Sequence, residues 1–343
     1  MREFKYITID GNTPYERGKQ HGEAARELIG LGLDRYHRKF KAPWETVREK
    51  AERYVEFLTA DYSDLLDEIR GIGDGAGVDF EDMMVLNTRY ELSKFPFAKE
   101  CTTFAVLPDA SENRHVYLGM NWDNARWMQD SSLLFHVNEQ NGIRYFCMTE
   151  AGQLIRHGFN NFGVGIVTNN LDSKADTDGV GVPTNFMRRR VITSRSMEEA
   201  VDHIVSAPRA VSCNLMIGSE NGTIDLEVNP KYDIRIMPDN GILTHANHFR
   251  VHRELEKDFD QAFFRDVRLY SLLERRRGSI NPEFIQDCLK DHYRENPESG
   301  EAVCNHDERW AVTIASQIYD LTAKEAFVCC GNPCEGTYRH YSL

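Results

Sequence analysis

A chain of 343 residues, 41% of them hydrophobic and 10% aromatic, can build a large core, and this composition excludes a disordered or low-complexity protein. Lys and Arg number 41 against 54 Asp and Glu, and the resulting charge of −13 argues against general nucleic-acid or anionic-membrane binding. No apolar run reaches the ~18 residues of a membrane helix. The start Met1-Arg2-Glu3-Phe4-Lys5-Tyr6 lacks the apolar stretch of a secretory signal. Eight cysteines in so long a chain do not describe a disulfide scaffold, so a reducing cytoplasm is the expected compartment.

Residues 4–10 alternate as a strand does. Thr13-Pro14 reads as the N-cap and first position of a helix running towards Lys39. Its Gly18 and Gly22 share one face, and because glycine weakens a helix interior, close packing against another backbone is expected there. Pro43-Trp44 opens a second helix, with Val47, Ala51, Tyr54, Val55 and Leu58 on one stripe. A third surrounds Leu65, Leu66, Ile69 and Ile72 and is expected to dissolve among Gly71, Gly73, Gly75 and Gly77. That glycine run lacks the Lys-Ser/Thr of a phosphate loop. Asp79 caps a fourth helix, which residues 95–100 break. The segment Cys101-Thr102-Thr103-Phe104-Ala105-Val106 then reads as a strand closed by Pro108-Asp109, with His115 to Trp122 as its antiparallel neighbour.

Beyond Asp123 strands dominate. Glu139-Gln140-Asn141-Gly142 marks a hairpin between 132–138 and 143–149, and Gly158 to Gly163 a turn feeding a buried strand. Helices are predicted over 183–194 and 197–206, and strands over 211–217, 223–228 and 232–237. Helices return at 262–276 and 282–292, before strands at 311–319 and 325–330. Strands and helices in alternating blocks, with no repeat or linker, suggest one domain of packed sheets with helix layers outside.

The chemistry centres on Cys101. A catalytic cysteine needs a base, and an N-terminal residue supplies its own: an α-amine with a pKa near ~8. The amine appears only if the chain cuts the bond before Cys101, which the thiol can do by attacking the Glu100 carbonyl. Asp123, ending the neighbouring strand, is a candidate to hold the amine, and Thr103 shares the sheet face of Cys101. Amide donors for an oxyanion are available in Thr244-His245-Ala246-Asn247-His248, and Ser212 is a further polar candidate. A metal is not expected. His245 and His248 lack a matching acidic pair, and Cys329, Cys330 and Cys334 lack a second Cys/His pair at zinc spacing. Arg188-Arg189-Arg190 reads as a solvated helix face.

The chain resembles the acyl-coenzyme A:isopenicillin N acyltransferase family of self-processing N-terminal-nucleophile (Ntn) hydrolases along nearly its whole length. The matching pieces include Thr13 to Gly18 with His21-Gly22, Glu68 to Ile72, Leu86-Asn87-Thr88-Arg89 and Cys101-Thr102-Thr103. They continue through Asn121-Trp122-Asp123, Thr149-Glu150-Ala151-Gly152, Gly158-Phe159-Asn160, Gly181-Val182-Pro183 and Asn247-His248. The resemblance implies an α+β fold, the four-layer αββα sandwich. It implies Cys101 as the processed nucleophile, Thr103 and Asp123 as polar residues of its site, Ser212 as a serine near the nucleophile and Asn247 as the oxyanion asparagine. One departure is Glu100, where the fungal enzymes have glycine; a less permissive backbone there predicts slower self-cleavage.

The expectation is therefore a single domain over 1–343, self-processed into 1–100 and 101–343 with the two pieces remaining associated. It would hydrolyse the amide of a small N-acyl or aminoacyl compound through a thioester on Cys101, with no cofactor. The alternative is acyl transfer from acyl-coenzyme A to a small amine. A cysteine hydrolase using an internal histidine, and a binding protein with an unreactive Cys101, are the competing classes.

Overall fold

The computed structural model describes residues 3–93, 101–257, 264–292, 302–307 and 311–343. Strand β1 (Lys5–Ile9) leads into helices α1 (Pro14–Lys39), α2 (Trp44–Leu58), α3 (Ser63–Ala76) and α4 (Phe80–Ser93). Strands β2 (Thr102–Val106) and β3 (Tyr117–Asn124) follow, then a single helical turn, α5 (Trp127–Asp130). Next come β4 (Ser132–Asn138), β5 (Arg144–Glu150), β6 (His157–Asn160) and β7 (Gly165–Asn170). Helices α6 (Thr184–Ile192) and α7 (Met197–Val205) precede β8 (Cys213–Ser219), β9 (Gly222–Val228), β10 (Asp233–Ile236) and β11 (Ile242–His245). The chain closes with α8 (Arg265–Glu274), α9 (Pro282–Leu289), β12 (His306–Asp307), β13 (Ala311–Asp320), β14 (Glu325–Cys330) and β15 (Tyr338–Ser342).

The strands form an eight-stranded sheet ordered β1-β4-β5-β6-β7-β8-β9-β10 and a seven-stranded sheet ordered β11-β2-β3-β13-β14-β15, with β12 paired to β13. The sheets pack face to face: Phe159 of β6 meets Tyr319 of β13 at a ring-centroid distance of 5.5 Å, and Trp122 of β3 meets His157 of β6 at 5.6 Å. Helices cover both outer faces. On the first sheet, the α1 residue His21 stands edge-on to Phe135 of β4, and Asn160 of β6 donates to the Ile192 carbonyl ending α6. On the second, Phe104, Val106, Tyr117 and Ile318 share a cluster with Leu269, Leu273, Ile285 and Leu289 of α8 and α9. This is the α-β-β-α layering expected from the sequence.

The start of α1 carries the predicted cap in full: Thr13 Oγ1 accepts from Glu16 N–H at 3.1 Å, and the Glu16 carboxylate accepts from Thr13 N–H. Gly18 and Gly22 do meet another backbone. A Cβ on either would overlap a carbonyl of α3, that of Glu68 or of Ile72, and Gly71 and Gly75 of α3 answer them against Tyr15 and Lys19. Here the glycine run departs from expectation. α3 does not dissolve at Gly71 but continues to Ala76, because its glycines serve this helix crossing, and only Gly77, at φ 72°, makes the left-handed cap. The terminal strand β15 was also not foreseen: Tyr338-Arg339-His340-Tyr341-Ser342 has neither apolar alternation nor β-branched residues, and it is recruited as a half-exposed edge by pairing with β14.

Candidate active site

Strand register builds the site. β11 runs antiparallel to β2 with His245 opposite Thr103, so the chain leaving β11 brings Asn247 to the start of β2. There the backbone N–H of Cys101 donates to Asn247 Oδ1 at 2.5 Å. Asn247 is itself oriented by donating from Nδ2 to the Asn170 carbonyl at 3.0 Å, at the end of β7 in the opposite sheet. Cys101 and Ala105 join the inter-sheet core while Phe104 and Val106 face the α8–α9 layer, as the two-residue strand period requires. Cys101 Sγ lies 3.7 Å from the Asp123 carbonyl oxygen.

Burial and the nearby Asp123 carboxylate push the Cys101 thiol up to about 11, against the opposing fields of Arg156 and Arg265. At neutral pH only about one molecule in 10⁴ then carries a thiolate, so the sulfur needs an adjacent base. Among the described residues no histidine is hydrogen-bonded to it. His245 is committed elsewhere. Burial disfavours its charge, but the Asp225 and Glu227 carboxylates raise it to about 9, with Nε2 2.9 Å from Glu227 Oε1 and Nδ1 2.6 Å from the Ala246 carbonyl. At neutral pH it is an imidazolium that donates at both nitrogens and accepts nothing.

Thr103 sits on the same face as Cys101, as predicted, and begins a buried polar chain. Its Oγ1 donates to the His245 carbonyl at 3.4 Å and accepts from Asn169 Nδ2 at 2.8 Å. Asn169 Nδ2 also donates to Asn214 Oδ1 at 2.8 Å, and Asn214 Nδ2 donates to Asp225 Oδ1 at 2.6 Å. The chain thereby crosses from one sheet to the other and returns through His245.

Asp123 and Ser212 make their side-chain contacts away from Cys101. Leu118, Met120 and Trp122 of β3 point into the inter-sheet core, so Asp123, out of phase with them, points to the other face. Its carboxylate pairs with Arg265 of α8 and accepts from Thr313 Oγ1 at 2.7 Å. Burial pushes it up to about 6 despite Arg265. Its backbone carbonyl, not its side chain, faces Cys101, and the contact to the Cys101 nitrogen belongs to Asn247. The oxyanion role expected of Asn247 would use Nδ2, one of whose two hydrogens goes to the Asn170 carbonyl. Ser212 Oγ donates to Asp176 Oδ1 at 2.5 Å and makes no hydrogen bond to Cys101 among the described residues.

The arginine run is not a solvated face. Arg188 and Arg189 are buried: Arg189 pairs with Glu68 and Glu139, Arg190 with Asp64, and Arg188 donates to Asn185. Helix periodicity alone cannot show that α6 packs between α4 and the sheet. Other motif residues gather at one turn: His21 Nε2 accepts from Gly152 N–H, Asn87 bridges the Gly152 carbonyl and the Leu154 N–H, and Arg89 pairs with Glu150. Glu150 also holds Arg156, whose guanidinium lies 4.6 Å above the Trp122 ring. Arg156, Asn169, Asn170, Asn214 and Arg265 were not singled out from the sequence; Asn169-Asn170 at the end of an apolar strand was the available signal. A cavity of about 440 Å³ opens between Glu3, Arg126, Gln129, Asn332 and Arg339 without touching this cluster, so side-chain chemistry and not cavity size marks the site.

Two sheets clasped face to face between helix layers, with a cysteine opening a strand of the second sheet and its own backbone nitrogen held by an asparagine, define the Ntn-hydrolase class. The sequence profile of the acyl-coenzyme A:6-aminopenicillanic acid acyl-transferase family matches residues 110–335, and the chain belongs to that family. It is 27% identical over 252 residues, 71% of this chain and 69% of the relative, to the 40 kDa form of acyl-coenzyme A:6-aminopenicillanic-acid-acyltransferase from Emericella nidulans. Among solved structures it is similar to an N-acylethanolamine-hydrolyzing acid amidase ortholog of Caenorhabditis elegans (TM-score 0.46, 13% identity, 64% of this chain and 93% of that one). It is also similar to a conjugated bile acid hydrolase variant from Clostridium perfringens (0.44, 13%, 71% and 97%). Penicillin V acylase from Agrobacterium tumefaciens is a further similar structure (0.43, 14%, 67% and 83%). Among the described residues no helix is long and apolar enough to cross a membrane.

Proposed function

We propose that the protein is a self-processing cysteine amidohydrolase that cleaves a small N-acyl or aminoacyl amide. The observation that carries this reading is the 2.5 Å contact from the Cys101 N–H to Asn247 Oδ1. The nitrogen that cleavage turns into an amine is gripped before any cut is made. In the first event Cys101 Sγ adds to the Glu100 carbonyl, the C–N bond breaks as the thioester forms, and the nitrogen takes a proton. Water then hydrolyses the thioester, releasing the Glu100 carboxylate and restoring the thiol. Glu100 itself lies outside the described residues. With a thiol near 11, this step is slow, which is tolerable for an event that happens once per molecule.

Catalysis repeats the chemistry with a base in place. The free α-amine, with an unperturbed pKa of ~8, accepts the thiol proton as sulfur attacks the substrate carbonyl. It returns that proton to the departing amine nitrogen, leaving an acyl thioester on Cys101. Water, activated by the same amine, hydrolyses this ester. Asn247 holds the amine, and the chain from Thr103 to His245 fixes the strand pair that presents it. The pieces 1–100 and 101–343 remain associated in this reading, since α1 to α4 pack on the first sheet through a common buried core. The free cysteines suit a reducing cytoplasm.

Transfer from acyl-coenzyme A is the second reading, favoured by the fungal relative's name. The Arg189 and Arg190 cations are already matched by Glu68, Glu139 and Asp64, and Arg188 is buried against Asn185, so this run offers no exposed, unmatched charge for a phosphate-bearing donor. Hydrolysis is therefore preferred. The test offers processed enzyme a panel of small amides, and separately acyl-coenzyme A donors with a panel of amines, while the thioester on Cys101 is trapped for mass spectrometry. Amide hydrolysis with an acyl adduct on Cys101 is expected. Saturable amide synthesis with no hydrolysis of any amide would reverse the preference.

A further inference from the structure

Three separate stretches of chain converge behind the second sheet, away from the nucleophile. His292 follows α9, Cys304 and His306 flank Asn305 where β12 begins, and Cys334 lies in the turn between β14 and β15. One donor atom from each of the four lies within 4.8 Å of all the others. Cys304 Sγ is 3.6 Å from Cys334 Sγ and 3.5 Å from His306 Nε2. His306 Nε2 is 3.2 Å from Cys334 Sγ and 3.2 Å from His292 Nε2. The geometry points to a structural Cys₂His₂ site for one tetrahedral divalent cation of the zinc class, ligated by His292, Cys304, His306 and Cys334.

The distances discriminate. Zinc bonds of ~2.3 Å to sulfur and ~2.0–2.1 Å to nitrogen, set at tetrahedral angles, put sulfurs about 3.7 Å apart, sulfur and nitrogen about 3.6 Å, and nitrogens about 3.3 Å. Four of the six separations follow that pattern within about 0.4 Å, and the two from His292 to the thiols stay within 4.8 Å, so a small turn of the exposed His292 side chain would complete the tetrahedron. A disulfide would need the sulfurs at ~2.05 Å. The donor set is two thiols and two imidazoles without a carboxylate, which suits zinc and not magnesium or calcium. Four protein ligands leave no open position, so the role is structural and not catalytic. Binding would release two thiol protons.

The surroundings fit the same reading. The second ring nitrogen of His306, Nδ1, lies 3.8 Å from the Glu335 carboxylate, and Asn332 Nδ2 is 3.6 Å from Cys304 Sγ while donating to the Asn305 carbonyl at 2.7 Å. The sequence grouped Cys334 with Cys329 and Cys330 and so found no partner pair. The fold instead sets it against a Cys-x-His step 28 residues upstream. Asn305, between two ligands, accepts from the Thr313 N–H on its carbonyl, donates its own N–H to Thr313 Oγ1 and hydrogen-bonds the Asp123 carboxylate through its side chain, so the ion would anchor the strand pair backing Cys101.

Metal content is independent of whether Cys101 is cleaved or catalytic, so the test runs on full-length protein and on Cys101→Ala alike. Elemental analysis of protein purified without chelator is expected to find about one zinc per chain in both. Cobalt added to the reduced, metal-stripped protein should give the absorption bands of a tetrahedral thiolate complex. Cys334→Ser, which alters an exposed ligand, should weaken those bands and cut zinc retention, and a chelator should lower the melting temperature of the parent but not of this variant. Zinc below about 0.1 per chain together with no cobalt bands overturns the proposal. So does a Cys304–Cys334 disulfide in protein kept under reducing conditions, seen as a loss of two mass units and two titratable thiols.

Discussion

The crossing of α1 over α3 and the surroundings of Cys101 are both buried close contacts, yet they are encoded in opposite ways. At the crossing, Gly18 and Gly22 meet the Glu68 and Ile72 carbonyls of α3, and their spacing along one helix declares the contact. At Cys101 every partner comes from far away in the chain: Asn247 lies 146 residues on, and Asn169 reaches Thr103 across 66. The first contact depends on shape and tolerates no added atom. The second depends on hydrogen-bond direction and on the charge of buried groups. Substitutions should therefore separate them, with stability lost in one region and rate in the other.

The largest effect is expected at Cys101→Ala, which removes both the nucleophile and the attacking group for cleavage. A single uncut chain with no detectable turnover and a near-parental melting curve is the expected result, read by denaturing gel and assay. Asn247→Ala, made in enzyme that has already been processed, should lower kcat by about 10²–10⁴ by freeing the amine, with little change in melting. Near-parental turnover there would detach Asn247 from the chemistry. Gly18→Ala should do the reverse. Forcing a methyl into the Glu68 carbonyl should cost ~3 kcal/mol or more in denaturant unfolding, while the folded fraction keeps its specific activity.

A pH series sharpens the contrast through His245. Its folded pKa of about 9 exceeds the unfolded ~6.5, so its contribution is complete below pH ~6.5 and is lost as pH rises through about 9. Stability should fall over that interval by up to ~3 kcal/mol, and this part of the slope should be missing in His245→Gln. The smallest effect is expected at Ser212→Ala. Loss of the bond to Asp176 should cost ~1 kcal/mol, and kcat should stay within about threefold. A large rate loss at Ser212 would place it in the site after all.

What the sequence made legible follows the same division. The capped start of α1, the apolar stripe of α2, the hairpin at Asn141-Gly142 and the strand following Cys101 all rest on neighbours within a few residues, and they stand where spacing put them. Asp123 was located but its face was not, because a strand's phase is fixed only by what lies on either side of it. Arg188 and Arg189 read as exposed because three successive cations ordinarily face water; the burial of Arg189 depends on Glu68 and Glu139, which no local pattern connects to it. Asn169 and Asn214 were passed over for the same reason. A polar residue in a strand announces nothing until the opposite sheet is in place.

The central claim is that the working enzyme begins a chain at Cys101 and uses that residue's amine as its base. Intact-mass analysis and N-terminal sequencing of fully active protein under denaturing conditions test it most directly. Two pieces are expected, spanning 1–100 and 101–343, with cysteine as the first residue of the second. Full activity in a single uncut chain of 343 residues would contradict the account, because the Cys101 nitrogen would then still be an amide and could accept no proton.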